Sequence, residues 1–289
     1  MGTAFGATAP VSDAREVAHF DVVTLQQPEN ITLAPDGTAY LTFNRSLQVA
    51  KVTTSGKTTV LATLPQSPAG NAIASGIVRT SDGTLYVGYN AGTLSGIYRI
   101  PAGGGTPVEV VALPAADFLN GLALDAENNS LYATASTYGT VWKVSLKTGK
   151  AVLWAQGTEF QSITVGGKGA NGIKVHDGAV WVSNTSSGVL LRVPIKKDGT
   201  AGTVTTQATG VTGIDDFAFT GHGDQVLAAQ NVLSEASLVN GDGTHETVLT
   251  ATDGLQNPTS VAVKGSTLYV ASGAYFTRTD PNLLLAKLG

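Results

Sequence analysis

The chain has 289 residues, a net charge of −4, only 13% charged against 42% hydrophobic residues, 35 glycines and no cysteine. That balance excludes disulfide scaffolds, thiolate metal sites and cysteine nucleophiles. It also leaves no electrostatic footprint for nucleic acid or an anionic membrane, since Lys196-Lys197 is the sole basic cluster. No apolar run reaches the roughly 20 residues of a bilayer-spanning helix, so a soluble monomer acting on a partly apolar small molecule is expected.

Residues 1–15 are small and polar and lack both a basic start and an apolar signal core. They are expected to be a flexible leader, either a plain one or the remnant of a removed secretion signal, and the compartment stays open. Residues 16–289 read as one domain. A strand over 16–25 has no partner nearby, and after it a unit begins to repeat. Each unit opens on a polar residue followed by apolar alternation: Glu29, Ser75, Asn120, Asn171, Asp215 and Thr259. These openings stand 44 to 51 residues apart, close to the period of about 40–50 that marks four-stranded propeller blades.

Within each unit an inner strand leads to a turn such as Asp36-Gly37, Asp82-Gly83 or Asp177-Gly178, which supplies the backbone angles of a tight hairpin. A second strand follows (38–43, 84–89, 179–183), then a third (48–52, 96–100, 140–145, 188–195), then a turn and an outer strand. The last unit shows only three strands, 260–263, 267–272 and 283–288. Segment 16–25 is therefore expected to supply the fourth, closing the ring and removing free sheet edges. The fold class is all-β: a six-bladed β-propeller with four-stranded antiparallel blades, the N-terminal strand joining the C-terminal blade.

Strand polarity places the six opening residues on the same face as the long segments 64–74, 157–170 and 273–282, so a pocket is expected there. Tyr138, Phe160, Tyr275 and Phe276 are candidate walls. Arg45 and Arg278 are candidates to hold a carboxylate, and Ser75 and Thr259 are candidates to touch substrate. The four histidines, His19, His176, His222 and His245, fall on outer strands or opposite-face turns without metal spacing, and are read as surface residues. No nucleophile elbow, phosphate loop or dinucleotide fingerprint occurs.

At these opening residues the chain resembles the senescence marker protein (regucalcin) and gluconolactonase family, and more distantly paraoxonase. The resemblance implies a divalent cation at the axis held by Glu29 in Pro-Glu-Asn, Asn120 in Leu-Asn-Gly-Leu, Asn171 in Ala-Asn-Gly-Ile and Asp215 in Ile-Asp-Asp-Phe. Through the paraoxonase-like relatives it implicates Asp216 as well. Two carboxylates and two amide carbonyls also form, on chemical grounds, an all-oxygen set suited to a hard cation. Ca²⁺ is expected, with Zn²⁺, Mn²⁺ and Mg²⁺ as alternatives. Where gluconolactonases resembling this chain carry an arginine, Phe118 stands here, so that wall is expected to be apolar and to lack a cationic contact.

The function expected is metal-dependent hydrolysis of a lactone or related ester, with Asp215 or Asp216 accepting the proton of the attacking water. The alternatives are a metal-assisted isomerase, cyclase or lyase, and a non-enzymatic interaction scaffold, which fold alone does not separate.

Overall fold

The computed structural model describes residues 10–289. Its strands form six four-stranded antiparallel sheets. The helical segments among the described residues are four single 3₁₀ turns, so no helix there is long and apolar enough to cross a membrane. Blades 1 to 5 are each built from four consecutive strands, spanning residues 28–63, 73–112, 119–156, 170–208 and 214–249. Blade 6 joins Pro258–Lys264, Thr267–Ser272 and Asn282–Leu288 to the N-terminal strand Val11–His19.

That closing strand runs earlier than the sequence implies, from Val11 to His19 rather than 16–25. Two irregularities in its pairing with Asn282–Leu288, between Ser12 and Arg15 and between Glu16 and Ala18, interrupt the alternation by which a strand is recognised. Asp13 also has a φ of 54°. Of the leader expected over 1–15, residues 1–9 lie outside the described residues, and Val11–Arg15 belong to the strand.

Six apolar clusters occupy the six blade-to-blade interfaces. Leu41, Phe43 and Val52 of blade 1, for example, pack against Tyr269, Ala271 and Leu283 of blade 6. Each sheet is therefore buried on both faces, which accounts for the nearly continuous apolar strands such as Ser130–Ala135 and Ala179–Asn184.

The inner hairpins share a further feature. Every innermost strand carries a bulge in its pairing with the second strand, and the bulges fall at Glu29, Ser75-Gly76, Asn120-Gly121, Asn171-Gly172, Asp215-Asp216 and Thr259. A bulge interrupts the pleat and re-aims its side chains. The carbonyls freed there are claimed by the neighbouring blade: Thr42 Oγ1 donates to Ser75 O at 2.6 Å and Ser183 Oγ to Asp215 O at 2.7 Å, while Thr134 Oγ1 donates to Asn171 O. Glycine follows the opening residue in blades 2 to 4 because the next inner strand lies against it. A Cβ on Gly121 would stand 2.6 Å from Asn171 O, and one on Gly172 would strike Asp216.

The seam of the ring is held at the surface by His19, whose Nδ1 lies 2.7 Å from Asp280 Oδ1. The hydrogen bond to Asp280 raises the His19 pKa, against a smaller opposing effect of burial. Because the folded-state pKa lies above the unfolded one, the stabilisation is complete below about pH 6.5 and is lost as pH rises through the folded value. The exposed pair contributes under about 1 kcal/mol. Thermal melts from about pH 6 to 8 should show a small loss of stability that is smaller in His19→Gln. An unchanged pH slope in that variant would contradict this role.

Candidate functional site

At the face where the inner strands begin, the channel opens into a cavity of about 820 Å³. Glu29, Asn120, Asn171 and Asp215 all contribute to its lining, and their orientations follow from their hydrogen bonds. Ser136 Oγ donates its proton to Ala170 O at 2.6 Å, so it must accept from Asn120 Nδ2 at 3.1 Å. Asn171 Nδ2 donates to Thr185 Oγ1 at 2.8 Å and to Asp215 Oδ1 at 2.6 Å. Glu29 Oε2 accepts from Asn44 Nδ2 at 3.2 Å and from the Tyr275 hydroxyl. Each of the four side chains is thus fixed by one end. Among the described residues, no donor reaches Asn120 Oδ1, Asn171 Oδ1, Asp215 Oδ2 or Glu29 Oε1.

Electrostatics matches that geometry. Burial raises the Glu29 pKa, although the hydrogen bonds from Tyr275 and Asn44 favour its charged form. Burial first, then the charges of Glu29 and Asp216, push Asp215 well above the usual carboxylate range. Tyr275 is driven well upward by burial and by Glu29, and so remains a donor. Two desolvated carboxylates and two unpaired amide oxygens form a set that a divalent cation would complete.

Asp216 is not part of that lining. Its carboxylate lies deeper in the channel, where Oδ2 accepts from Asn30 Nδ2 at 3.1 Å and from Ser260 Oγ at 2.5 Å, and Oδ1 pairs with Lys174 Nζ at 2.6 Å. Asn30 Oδ1 in turn accepts from Ile77 N at 3.3 Å. This network commits Asp216 to holding blades together, which overturns its expected role as ligand or proton acceptor.

Other expectations are corrected in the same way. Ser75 and Thr259 are buried away from the cavity, Thr259 Oγ1 donating to the carbonyls of Pro28 and Ala271 at 3.1 Å each. Phe160 is fully buried in the cluster between blades 3 and 4, beside Tyr132 and Ile173. Tyr138 is 57% exposed outside the cavity. Phe118, Tyr275, Phe276, Arg45 and Arg278 do contribute to the lining.

The sequence reading missed Asn44, Thr185, Asn231 and Lys168, which also line the cavity. The first three stand just after the second strand of blades 1, 4 and 5, a second polar repeat in phase with the first. Lys168 comes from the long segment before blade 4, and its Nζ sits 3.3 Å from the centre of the Phe118 ring. The wall expected to lack a cation therefore has one. Burial lowers the Lys168 pKa, opposed by Glu29 and Asp215.

Two histidines also depart from expectation. His176 Nε2 lies 3.5 Å from Asp224 Oδ1 and 3.7 Å from Asp177 Oδ2. This trio, and Glu16, His19 and Asp280 at the seam, have a spacing compatible with a metal ion. Both lie outside the cavity.

Six four-stranded blades thus surround an axial cavity lined by acidic and amide side chains, the architecture of a six-bladed propeller. The chain matches the SMP-30/Gluconolactonase/LRE-like region over residues 9–221, more than half its length, and belongs to that family. No curated protein sequence matches it significantly. Among solved structures it is similar to the calcium-binding protein regucalcin from Agrobacterium tumefaciens, with 16% identity, a TM-score of 0.71 and coverage of 96% of this chain and 93% of that one. A luciferin-regenerating enzyme gives 14% identity and a TM-score of 0.71, with 96% and 95% covered. Virginiamycin B lyase from Staphylococcus aureus gives 14% identity and a TM-score of 0.63, with 96% and 99% covered. At such identities these likenesses speak to the fold.

Two predictions separate the layers of the channel. In cation-free protein, the raised pKa values of Glu29 and Asp215 mean that the folded state holds more protons than the unfolded one above about pH 4. Stability should therefore fall as pH rises through their folded values, and Asp215→Asn should flatten that fall. Added Ca²⁺ should stabilise the wild type by about 2.7 kcal/mol at a hundredfold excess over its Kd, and the variant far less, as read by thermal melts with and without chelator. Asp216→Ala, by contrast, strands the Lys174 charge at a cost of order 3 kcal/mol. It should lower Tm by roughly 6–12 °C while changing Ca²⁺ affinity less than about tenfold.

Proposed function

We propose that the protein is a divalent-cation-dependent hydrolase of a lactone or related ester, with Glu29, Asn120, Asn171 and Asp215 as the cation's ligands and Ca²⁺ as the preferred ion. The observation that carries this reading is the set of four side-chain oxygens left without a protein donor on one cavity. Family membership and the likeness to a calcium-binding regucalcin support it. The cation would supply polarisation of the substrate carbonyl and a lower pKa for the attacking water.

The chain's own residues do the rest. Asp215 keeps Oδ1 in its bond from Asn171, so Oδ2 would both hold the cation and, through its second lone pair, accept the water proton. Asn44 and Tyr275 hold Glu29 in one rotamer, so the negative side of the site does not swing when substrate enters. Phe118, Tyr275 and Phe276 give the substrate body an apolar wall and limit the water around the reacting carbonyl.

The lyase neighbours suggest a second reading, elimination rather than hydrolysis. A Staphylococcus aureus virginiamycin B lyase lacking one histidine is described as catalytically inactive, whereas no histidine lines the cavity of this chain. That contrast favours the hydrolase.

The test is a panel of γ- and δ-lactones and aryl esters assayed with Ca²⁺ and with chelator, in water enriched in heavy oxygen. Hydrolysis places the label in the product acid and elimination does not. Chelation should abolish turnover, Ca²⁺ should restore it, and Asp215→Asn should lower kcat by roughly 10²–10⁴-fold. Turnover indifferent to both chelator and Asp215→Asn would refute the proposal.

A further inference from the structure

Three basic side chains, Arg45, Lys168 and Arg278, contribute to the same cavity, and none has a carboxylate within ion-pair distance among the described residues. They come from three separate places: the end of the second strand of blade 1, the segment before blade 4 and the loop after Thr267–Ser272 of blade 6. Only their convergence on the cavity relates them. A divalent cation would offset the two carboxylates, Glu29 and Asp215, and leave these three positive charges uncompensated.

Lys168 is held rather than merely present. Its Nζ rests on the Phe118 ring at 3.3 Å, an attraction that keeps a long, solvent-seeking side chain over the cavity. Phe118 itself has a φ of 54°, a left-handed conformation that a bulky residue rarely adopts. The surroundings enforce it: Phe118 O accepts from Ser136 N at 2.9 Å, Leu119 N donates to Asn90 Oδ1 at 2.7 Å, and Asn90 Nδ2 donates back to Leu119 O at 2.8 Å. These three bonds fix the backbone on which the Phe118 ring is presented to Lys168.

We propose that the substrate carries a carboxylate remote from its reacting carbonyl, and that Lys168 seated on Phe118, with Arg45 and Arg278, is the receptor for it. The substrate class is then a lactone or ester with an apolar or aromatic body and a carboxylate at its far end. Ile73, Tyr275 and Phe276 line the apolar stretch between. The identity of the reacting group rests on the hydrolase reading, but the anion receptor does not.

The test uses matched compounds that differ only in charge: a phenylalkyl γ-lactone bearing a terminal carboxylate and its primary amide, with the corresponding lactams as non-hydrolysable partners. Calorimetry on the Ca²⁺-loaded protein should give a Kd for the carboxylate lactam roughly ten- to a hundredfold below that of the amide lactam. Lys168→Met and the double variant Arg45→Gln, Arg278→Gln should each shrink that ratio about tenfold or more, and the lactone pair should show the same ratio in kcat/KM. If the lactones are not hydrolysed but the lactams still discriminate, the hydrolase reading fails and the receptor stands. Equal wild-type affinity for the two lactams, or variants that weaken both alike, overturns the receptor.

Discussion

A propeller has to resolve its axis, where six inner strands converge and water is displaced from backbone and side chains alike. Here the resolution centres on the Asp216 carboxylate, which takes bonds from Asn30, Lys174 and Ser260, while Asn30 reaches on to the backbone of Ile77. Those residues belong to five of the six blades. A single buried charge, compensated by one ammonium and two neutral donors, thus ties most of the ring together. Apolar interfaces favour the blades packing against one another, but an apolar contact is non-directional. The axial network adds directional bonds that specify how the inner strands align.

The two levels of the channel are complementary halves of one device. At the lower level, blades 1, 5 and 6 contribute Asn30, Asp216 and Ser260, whereas blades 2, 3 and 4 contribute Gly76, Gly121 and Gly172, which let adjacent inner strands close up. This layer places a paired negative charge beneath the upper ring. Glu29 and Asp215 lie above that layer, and their pKa values rise chiefly through their own burial, with the Glu29 charge raising Asp215 further and the Asp216 charge adding a smaller push to both. The upper ring thus holds two desolvated carboxylates whose mutual repulsion a bound cation would relieve.

How much of this could be read from the sequence depends on the kind of signal each feature leaves. The blades were legible because period and turn chemistry recur six times, and an error in one unit is corrected by the others. Glu29, Asn120, Asn171 and Asp215 were legible because the bulge that re-aims them sits at a fixed phase of that repeat. Asp216, implicated through the resemblance to paraoxonase-like relatives, was misread because the same bulge sends it and its neighbour Asp215 to different levels of the channel. Phe160 and Tyr138 were misread from their positions on long upper segments. One is core and the other solvent-exposed, and nothing local distinguishes an inward from an outward aromatic in an irregular loop. The Glu16–His19–Asp280 trio was invisible because its members lie at opposite ends of the chain, meeting only when the ring closes.

Lys168 lies where the sequence is least informative. The axial residues are fixed by the repeat, and little can change there without disturbing bulges, interblade bonds and the lower layer together. A cation on the cavity wall is under no such constraint. Phe118 removes the charge from blade 3, yet its aromatic face supplies a seat for an ammonium delivered from the segment preceding blade 4. Because the seat and the charge come from different parts of the chain, the distance between the Lys168 ammonium and the axial carboxylates is set by the segment before blade 4 rather than by the repeat. Under the proposed function, the axis would carry the chemistry and the rim the choice of substrate.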